Sequence, residues 1–255
     1  MLKLLKYDLK RNSNTLLSMF VLLIILQGIV TVTGVMREWD SVITVFLILL
    51  LYSVALLMVG IQSVNTYRNN IKSYNRRLVP VRPISHIVSS MVLGIAAELI
   101  ILVIMILHGI IYSVYEGNLD RVISSVSVSF STGLVMLLEF LLFFIFLYSA
   151  IVLSTTIAAS VRGKIGTWIG ILSFFLIQGA LYKIETMLNS ALGFPENYTF
   201  IFINEAERLS NSSGEAAFRI GGNFGAGLFT LTLDIVLITG MLFATTWLLR
   251  NKEQV

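Results

Sequence analysis

The sequence predicts an all-α polytopic membrane protein with six transmembrane helices and both termini on the cytoplasmic side. Three observations predict this fold class. Only 13% of the 255 residues are charged, mean hydropathy is +0.88, and long apolar runs recur between short polar segments. A soluble domain is about one quarter charged, and a membrane span needs ~20 apolar residues. We therefore expect a single transmembrane domain over residues 1–255.

The predicted elements follow one another simply along the chain. Residues 1–12 repeat leucines and lysines at helical spacing, which predicts a basic amphipathic helix at the inner interface, a plain cytoplasmic anchor being the alternative. Residues 183–225 form an extracellular segment that we expect to hold short re-entrant or interfacial helices, since its apolar side chains would be costly in water. A plain surface loop is the alternative there. The predicted spans cover residues 16–35, 43–62, 84–112, 125–157, 165–182 and 226–249.

The orientation follows from the loop at residues 63–83. It carries five basic residues and no acidic one, and Lys and Arg are retained preferentially on the cytoplasmic side. With this loop inside, thirteen Lys and Arg lie on the predicted inner side and five on the outer side. This distribution also accounts for the net charge of +4 without a nucleic-acid partner.

The residues needed for most kinds of catalysis are missing from the sequence. Cysteine is absent and there are two histidines, which leaves almost no material for a metal or nucleophile cluster. The Gly163-Lys164 pair lacks the preceding glycine of a nucleotide-binding loop, and neither H-E-x-x-H nor G-x-S-x-G occurs. We expect no enzyme activity, bound cofactor or metal in this chain. A secondary transporter would need paired, interrupted spans of inverted symmetry, and no convincing pair occurs.

Three acidic residues fall inside predicted spans. Glu98 and Glu139 lie near the middle of the third and fourth spans, and Asp234 lies in the sixth. A charge near the bilayer centre costs about 2.5–3.5 kcal/mol, so each should face protein or a water-filled cavity. They are candidates for a translocation path that attracts a cationic substrate. The alternative is a protonated or hydrogen-bonded acid that joins helices.

Gly166 and Gly170 form a G-x-x-x-G pattern at the beginning of the fifth span. Such a pattern permits close helix approach, within one chain or between subunits, although it also arises by chance in apolar segments.

The assembled layout resembles the permease subunits of type-2 ATP-binding cassette exporters. The resemblance covers the whole chain: a basic N-terminal helix, six spans, a basic loop after the second span and short helices before the sixth. Its most specific local piece is LVPVRPIS at Leu78–Ser85, which is similar to the family stretch leading into the third span. Val79 and Pro83 depart from that pattern.

The resemblance implies a coupling helix within residues 66–74 that docks on a separate ATPase chain. Tyr67, Arg68, Lys72 and Tyr74 are the implied contacts. Two ATPase copies would bind ATP and Mg, and a second permease copy or a paralogue would complete the complex. The first and fifth spans usually form the seam between permeases, which would place Gly166 and Gly170 there.

The resemblance also implies a bacterial plasma membrane and an amphipathic substrate. The chain is small and looks similar to permeases that export antimicrobial or phenol-soluble modulin peptides, although drugs and lipids are also substrates of the family. A membrane-embedded binding or immunity protein that acts without an ATPase is the alternative from another functional class.

Overall fold

The structure, a computed structural model, consists of long helices and one small pair of strands. It describes residues 2–72, 83–115, 117, 130–161, 165–191, 202–204, 219–221 and 224–253. The helices are α1 (Leu2–Met36), α2 (Ser41–Lys72), α3 (Pro83–Tyr115), α4 (Phe130–Ser160), α5 (Ile165–Ala191) and α6 (Phe224–Glu253). The strands are β1 (Phe202–Asn204) and β2 (Arg219–Gly221).

In the described part of the chain, six helices are long and apolar enough to cross a membrane. This finding confirms the predicted helical fold class and the number of spans. The apolar stretches are Leu4–Met36, Val42–Ile71, Ile84–Tyr115, Leu137–Ser160, Ile165–Leu188 and Leu231–Arg250. Their side chains are largely exposed, as expected of surfaces that face lipid.

Helices α1 and α2 run further than their predicted boundaries. The predicted N-terminal interfacial helix and the first span form one unbroken helix α1 of 35 residues. Helix α2 continues ten residues beyond the predicted end of the second span, from residue 62 to Lys72. The apolar pattern ends before the helix does, because polar residues continue a helix wherever neighbouring helices provide packing. Residues 73–82, the rest of the predicted coupling loop, lie outside the described residues.

The chain divides into two compact units, Met1–Gly117 and Asn118–Val255, where the sequence predicted a single transmembrane domain. In the first unit, α1, α2 and α3 all contact one another. Asp8 near the beginning of α1 bonds to Asn70 near the end of α2, and Gln27 further along α1 bonds to Tyr52, which lies earlier in α2. Helix α2 is therefore antiparallel to α1. The apolar core of this unit includes Leu16, Leu23, Val59, Leu93 and Ile101.

The second unit is organised around α4, which contacts both α5 and α6. Its buried apolar core contains Ala150 of α4, Leu181 of α5, and Ile238 and Met241 of α6. Helix α5 has a largely exposed surface with several large apolar side chains, including Trp168 and Phe175. The unit thus leaves much of α5 available to lipid or to another chain.

The two glycines of the G-x-x-x-G pattern lie against α4 of the same chain. A methyl group added at Gly166 would meet the Ala158 carbonyl oxygen at 2.7 Å, and one added at Gly170 would meet Ala158 Cβ at 2.6 Å. The absence of side chains therefore allows α4 and α5 to approach closely. The contact described here is within one chain, and the place of these glycines in a seam between subunits stays a prediction.

Short re-entrant or interfacial helices between the fifth and sixth spans are not supported. The first part of that segment, through Ala191, continues α5 as the same helix. Further along, β1 and β2 pair antiparallel, with Ile203 opposite Ile220. Residues 192–201 and 205–218 lie outside the described residues.

The close contact of α4 and α5 predicts that Gly170→Ala destabilises the protein by about 1–3 kcal/mol, the usual effect of overpacking a tight interface. The matched control is Gly179→Ala in the same helix, where an added methyl meets nothing within 4 Å. Thermal unfolding of purified variants in detergent should show a lower melting temperature for the first variant only. Adding Ala158→Gly should restore much of the loss. Equal melting temperatures for both single variants would contradict the packing described for Gly170.

Candidate functional site: buried polar groups of the membrane helices

The most extensive polar contact lies where the beginning of α1 meets the end of α2 and the beginning of α3. The Asp8 side chain is fully buried. Its Oδ2 accepts hydrogen bonds from Asn70 Nδ2 at 2.9 Å and from Ser89 Oγ at 2.7 Å. Arg11 Nη2 lies 3.6 Å from Asp8 Oδ1 and also donates to Asn70 Oδ1 at 3.4 Å. The Asp8 carboxylate thus joins α1 to α2 and α3, through partners that lie 62 and 81 residues away in sequence.

Further hydrogen bonds extend this contact along the same helices. Asn12 Nδ2 donates to the Asp8 carbonyl oxygen at 2.7 Å, and Gln62 Nε2 donates to Asn12 Oδ1 at 2.7 Å. Ser63 Oγ donates to the Ser90 carbonyl oxygen at 2.6 Å. We call the whole set the Asp8 network; its members are Asp8, Arg11, Asn12, Gln62, Ser63, Asn70, Ser89 and Ser90. Buried and mutually bonded polar groups fix one relative position of the helices that carry them.

The Asp8 network includes the last turns of α2, which also carry the predicted ATPase contacts. Arg68 is exposed and available to a partner, whereas Tyr67 is fully buried. Tyr67 therefore cannot serve as a surface contact in this arrangement, because its ring packs inside the first unit. Lys72 is the last residue of α2, and Tyr74 lies outside the described residues.

A second polar cluster lies further along the same three helices. The Tyr52 hydroxyl donates to Gln27 Oε1 and lies 3.5 Å from the Ile104 carbonyl oxygen. Thr31 Oγ1 is 3.0 Å from His108 Nε2, and the His108 ring lies 6.3 Å from that of Tyr52. We call these four side chains the Tyr52 cluster. It satisfies polar groups that would otherwise face apolar surroundings.

Glu98 lies between the two polar groups, halfway along α3. Its side chain is 4% exposed, and its Oε2 has no hydrogen-bond partner among the residues that the structure describes. The neighbouring turns of α3 contribute Leu93, Ala97 and Ile101 to the apolar core. Glu98 is therefore an acid in apolar surroundings, and its place in a translocation path stays a prediction.

The other two predicted acids both lie in the second unit. Glu139 of α4 and Asp234 of α6 are half-buried; Asp234 is close enough for its charge to affect Glu139, and Glu185 of α5 is close enough for its charge to affect Asp234. Each helix of the unit thus contributes one carboxyl group to this carboxyl cluster. Glu98 belongs to the first unit and is not part of the cluster.

Within the described ranges, no group of three or more His, Asp or Glu side chains has an arrangement that could hold a metal ion. The polar groups that are present can bind protons or cations and can hold helices in register.

Comparison with known proteins adds no identification. No protein-family model matches the chain, and neither a curated protein nor a solved structure matches it significantly.

The Asp8 network, the Tyr52 cluster and Glu185 are not among the candidates that the sequence indicates. A periodic signal for the first is nevertheless present: Ser63, Thr66 and Asn70 recur at helical spacing near the end of α2, and Asp8 and Asn12 are one turn apart. The predicted boundary places Glu185 in the extracellular segment because the apolar run ends near residue 182, whereas α5 continues to Ala191. No local pattern indicated that Tyr52 would meet Gln27.

The network predicts that Asp8→Ala lowers the free energy of unfolding by about 3 kcal/mol, since hydrogen bonds to a buried charged group contribute about 1.5–3 kcal/mol each and leave unsatisfied donors when lost. Ser13→Ala is the matched control, because Ser13 lies nearby on α1 but is only half-buried, and its hydroxyl donates a solvent-exposed hydrogen bond to the Lys10 carbonyl oxygen of the same helix. Unfolding in detergent by a graded denaturant series measures both. A double-mutant cycle with Asn70→Ala should give a coupling energy above about 0.5 kcal/mol; additive effects would contradict a shared contact.

Proposed function

We propose that this chain is the permease subunit of an ATP-binding cassette exporter. In this proposal it moves an amphipathic substrate, such as a peptide, a drug or a lipid-like molecule, outward across a bacterial plasma membrane. A separate ATPase, present in two copies with ATP and Mg, docks on the segment between α2 and α3. A second permease copy or a paralogue completes the complex.

The observation that carries the proposal is the unbroken course of α2 into the basic segment. The helix leaves its apolar stretch and continues to Lys72, with Arg68 exposed on its last turns. Three more basic residues follow before α3 at Arg76, Arg77 and Arg82. A helix that is continuous from a membrane span to a docking segment can carry a rigid-body movement into the membrane.

The Asp8 network supports the same proposal. It joins the end of α2 to α1 through Asn70 and Asp8, and the same carboxylate is bonded to Ser89 at the beginning of α3. A force applied near Arg68 would therefore act on three helices together. An isolated loop between two spans would lack this connection, because exposed charged residues alone contribute little to holding helices.

The buried acids support a cationic or amphipathic substrate. Glu98 and the carboxyl cluster are placed on both units, and acids within membrane spans usually mark substrate or ion pathways. The second unit also exposes large apolar side chains on α5, among them Trp168, Leu172 and Phe175. An amphipathic molecule would find both kinds of contact on this chain.

The proposal is tested by purifying the tagged chain from its native host in a mild detergent and identifying the proteins that remain bound. We expect a stoichiometric soluble ATPase, and a second permease beside it would indicate a heteromeric complex. Purification without any ATPase in several detergents would contradict the exporter and favour the binding or immunity protein.

If the ATPase docks at this segment, Arg68→Glu combined with Lys72→Glu should abolish transport-linked ATP hydrolysis, which we define as a loss of at least tenfold. Two attractive charges would become repulsive at the contact. Hydrolysis by the complex in liposomes is the measurement. Arg37→Glu with Lys183→Glu is the matched control, because it changes the net charge equally. Both residues are exposed, and neither belongs to the end of α2 or to the segment that follows it. Hydrolysis unaffected by the first pair, or reduced equally by both pairs, would contradict docking at this segment.

A further inference from the structure

Glu98 is a buried acid whose described surroundings offer no hydrogen-bond partner to its Oε2. The side chain is 4% exposed, and Oε2 is buried without a hydrogen-bond partner among the described residues. Leaving a buried polar atom unsatisfied is unfavourable, and an unpaired carboxylate in an apolar interior is far more so. A group kept under these conditions needs a ligand in at least one state of the protein.

The parts of α1, α2 and α3 around Glu98 carry no Lys or Arg that could serve as this ligand. Helix α1 has no Lys or Arg between Asn12 and Met36, and α2 has none between Ser41 and Tyr67. Helix α3 itself has no Lys or Arg. The titratable or charged groups on the three helices are instead Asp8 and Arg11 near one end, Tyr52 and His108 in the Tyr52 cluster, Tyr67 and His86 near the Asp8 network, and the terminal residues Lys3, Lys6, Tyr7, Lys10, Arg68, Lys72, Tyr112 and Tyr115.

The two histidines of α3 are distant from Glu98 along the helix. At 1.5 Å per residue, His108 is about 15 Å further along α3 and His86 about 18 Å back. Glu98 is also the single carboxyl residue between Asp40 and Glu116. A lone carboxyl group without additional oxygen or nitrogen ligands does not suit a divalent metal, which requires several.

A proton is the ligand that fits the closed arrangement, in which Glu98 is buried as described above. Protonation removes the charge and leaves a small, neutral acid that an apolar core tolerates. A monovalent organic cation fits an open arrangement, because it neutralises the carboxylate while its apolar part contacts the surrounding side chains. The exchange is an acid–base step: the O–H proton passes to water admitted on opening, and the cation pairs with the resulting carboxylate.

We propose that Glu98 is an exchangeable site that holds a proton when the first unit is closed and an organic cation when the unit opens. This inference rests on the proposed transport function and makes Glu98 the residue that recognises the positive charge of a substrate. The recognition of the positive charge is thus assigned to the first unit, and the carboxyl cluster of the second unit has no part in it.

The test uses dicyclohexylcarbodiimide, a lipophilic reagent that forms a stable adduct with protonated carboxyl groups in apolar surroundings. The full chain in phosphatidylcholine liposomes is treated without ATP or ATPase, and the adduct is located by peptide mass spectrometry. We expect an adduct on Glu98 that persists in Glu139→Gln and is lost in Glu98→Gln. Dodecyltrimethylammonium should reduce it several-fold, whereas dodecanol, which has the same chain length and no charge, should not.

Two results would overturn the proposal: no adduct on Glu98 in the folded wild-type chain, or an adduct that the cation does not reduce. Because the site is mapped in the wild-type chain, the test remains decisive if Glu98→Gln fails to fold. Failure here concerns Glu98 alone, whereas failure of the proposed function is recognised separately by the absence of a copurifying ATPase.

Discussion

The first unit depends on one buried charge. Asp8 sits at the meeting point of three helices, where solvent is excluded and an unpaired carboxylate would be strongly unfavourable. Asn70 and Ser89 supply hydrogen bonds from α2 and α3, so the charge is tolerated only while all three helices keep their relative positions. The segment that carries Asp8 continues the first span as one unbroken helix, and this course brings Asp8 to its partners on α2 and α3.

The two units are stabilised by different means. The first combines an apolar middle with polar contacts on either side of it, the Asp8 network and the Tyr52 cluster. The second has close backbone approach at Gly166 and Gly170 among its described contacts, together with the carboxyl cluster. Van der Waals contact between small residues is a strong means of helix association in lipid, where no hydrophobic driving force acts between helices. In the first unit, hydrogen bonds between helices add geometric definition to the packing.

The sequence predicts the spans well and their ends poorly. Length and hydropathy are sufficient to identify six membrane helices, because a bilayer imposes both on any helix that crosses it. The ends of α1, α2 and α5 differ from the prediction since those helices continue through polar residues, whose helical state depends on partners far away in sequence. The same reason explains the missed contacts: that Asp8 bonds to Asn70 and Ser89 depends on how the helices are placed. The G-x-x-x-G pattern correctly indicated close approach, but a pattern on one helix carries no information about which helix lies against it. Glu98 was identified because a lone acid in an apolar run is conspicuous, and its buried surroundings required the structure.

The tight contact at Gly166 and Gly170 has a mechanical consequence for the second unit. Both glycines lie within the first two turns of α5, next to its connection with α4, so the hairpin is pinned at its closed end. Further along the two helices, larger apolar side chains such as Leu142 of α4 and Leu181 of α5 belong to the same core. The glycine contact thus sets the spacing of α4 and α5 at their connection, and side-chain packing takes over that task toward their other ends.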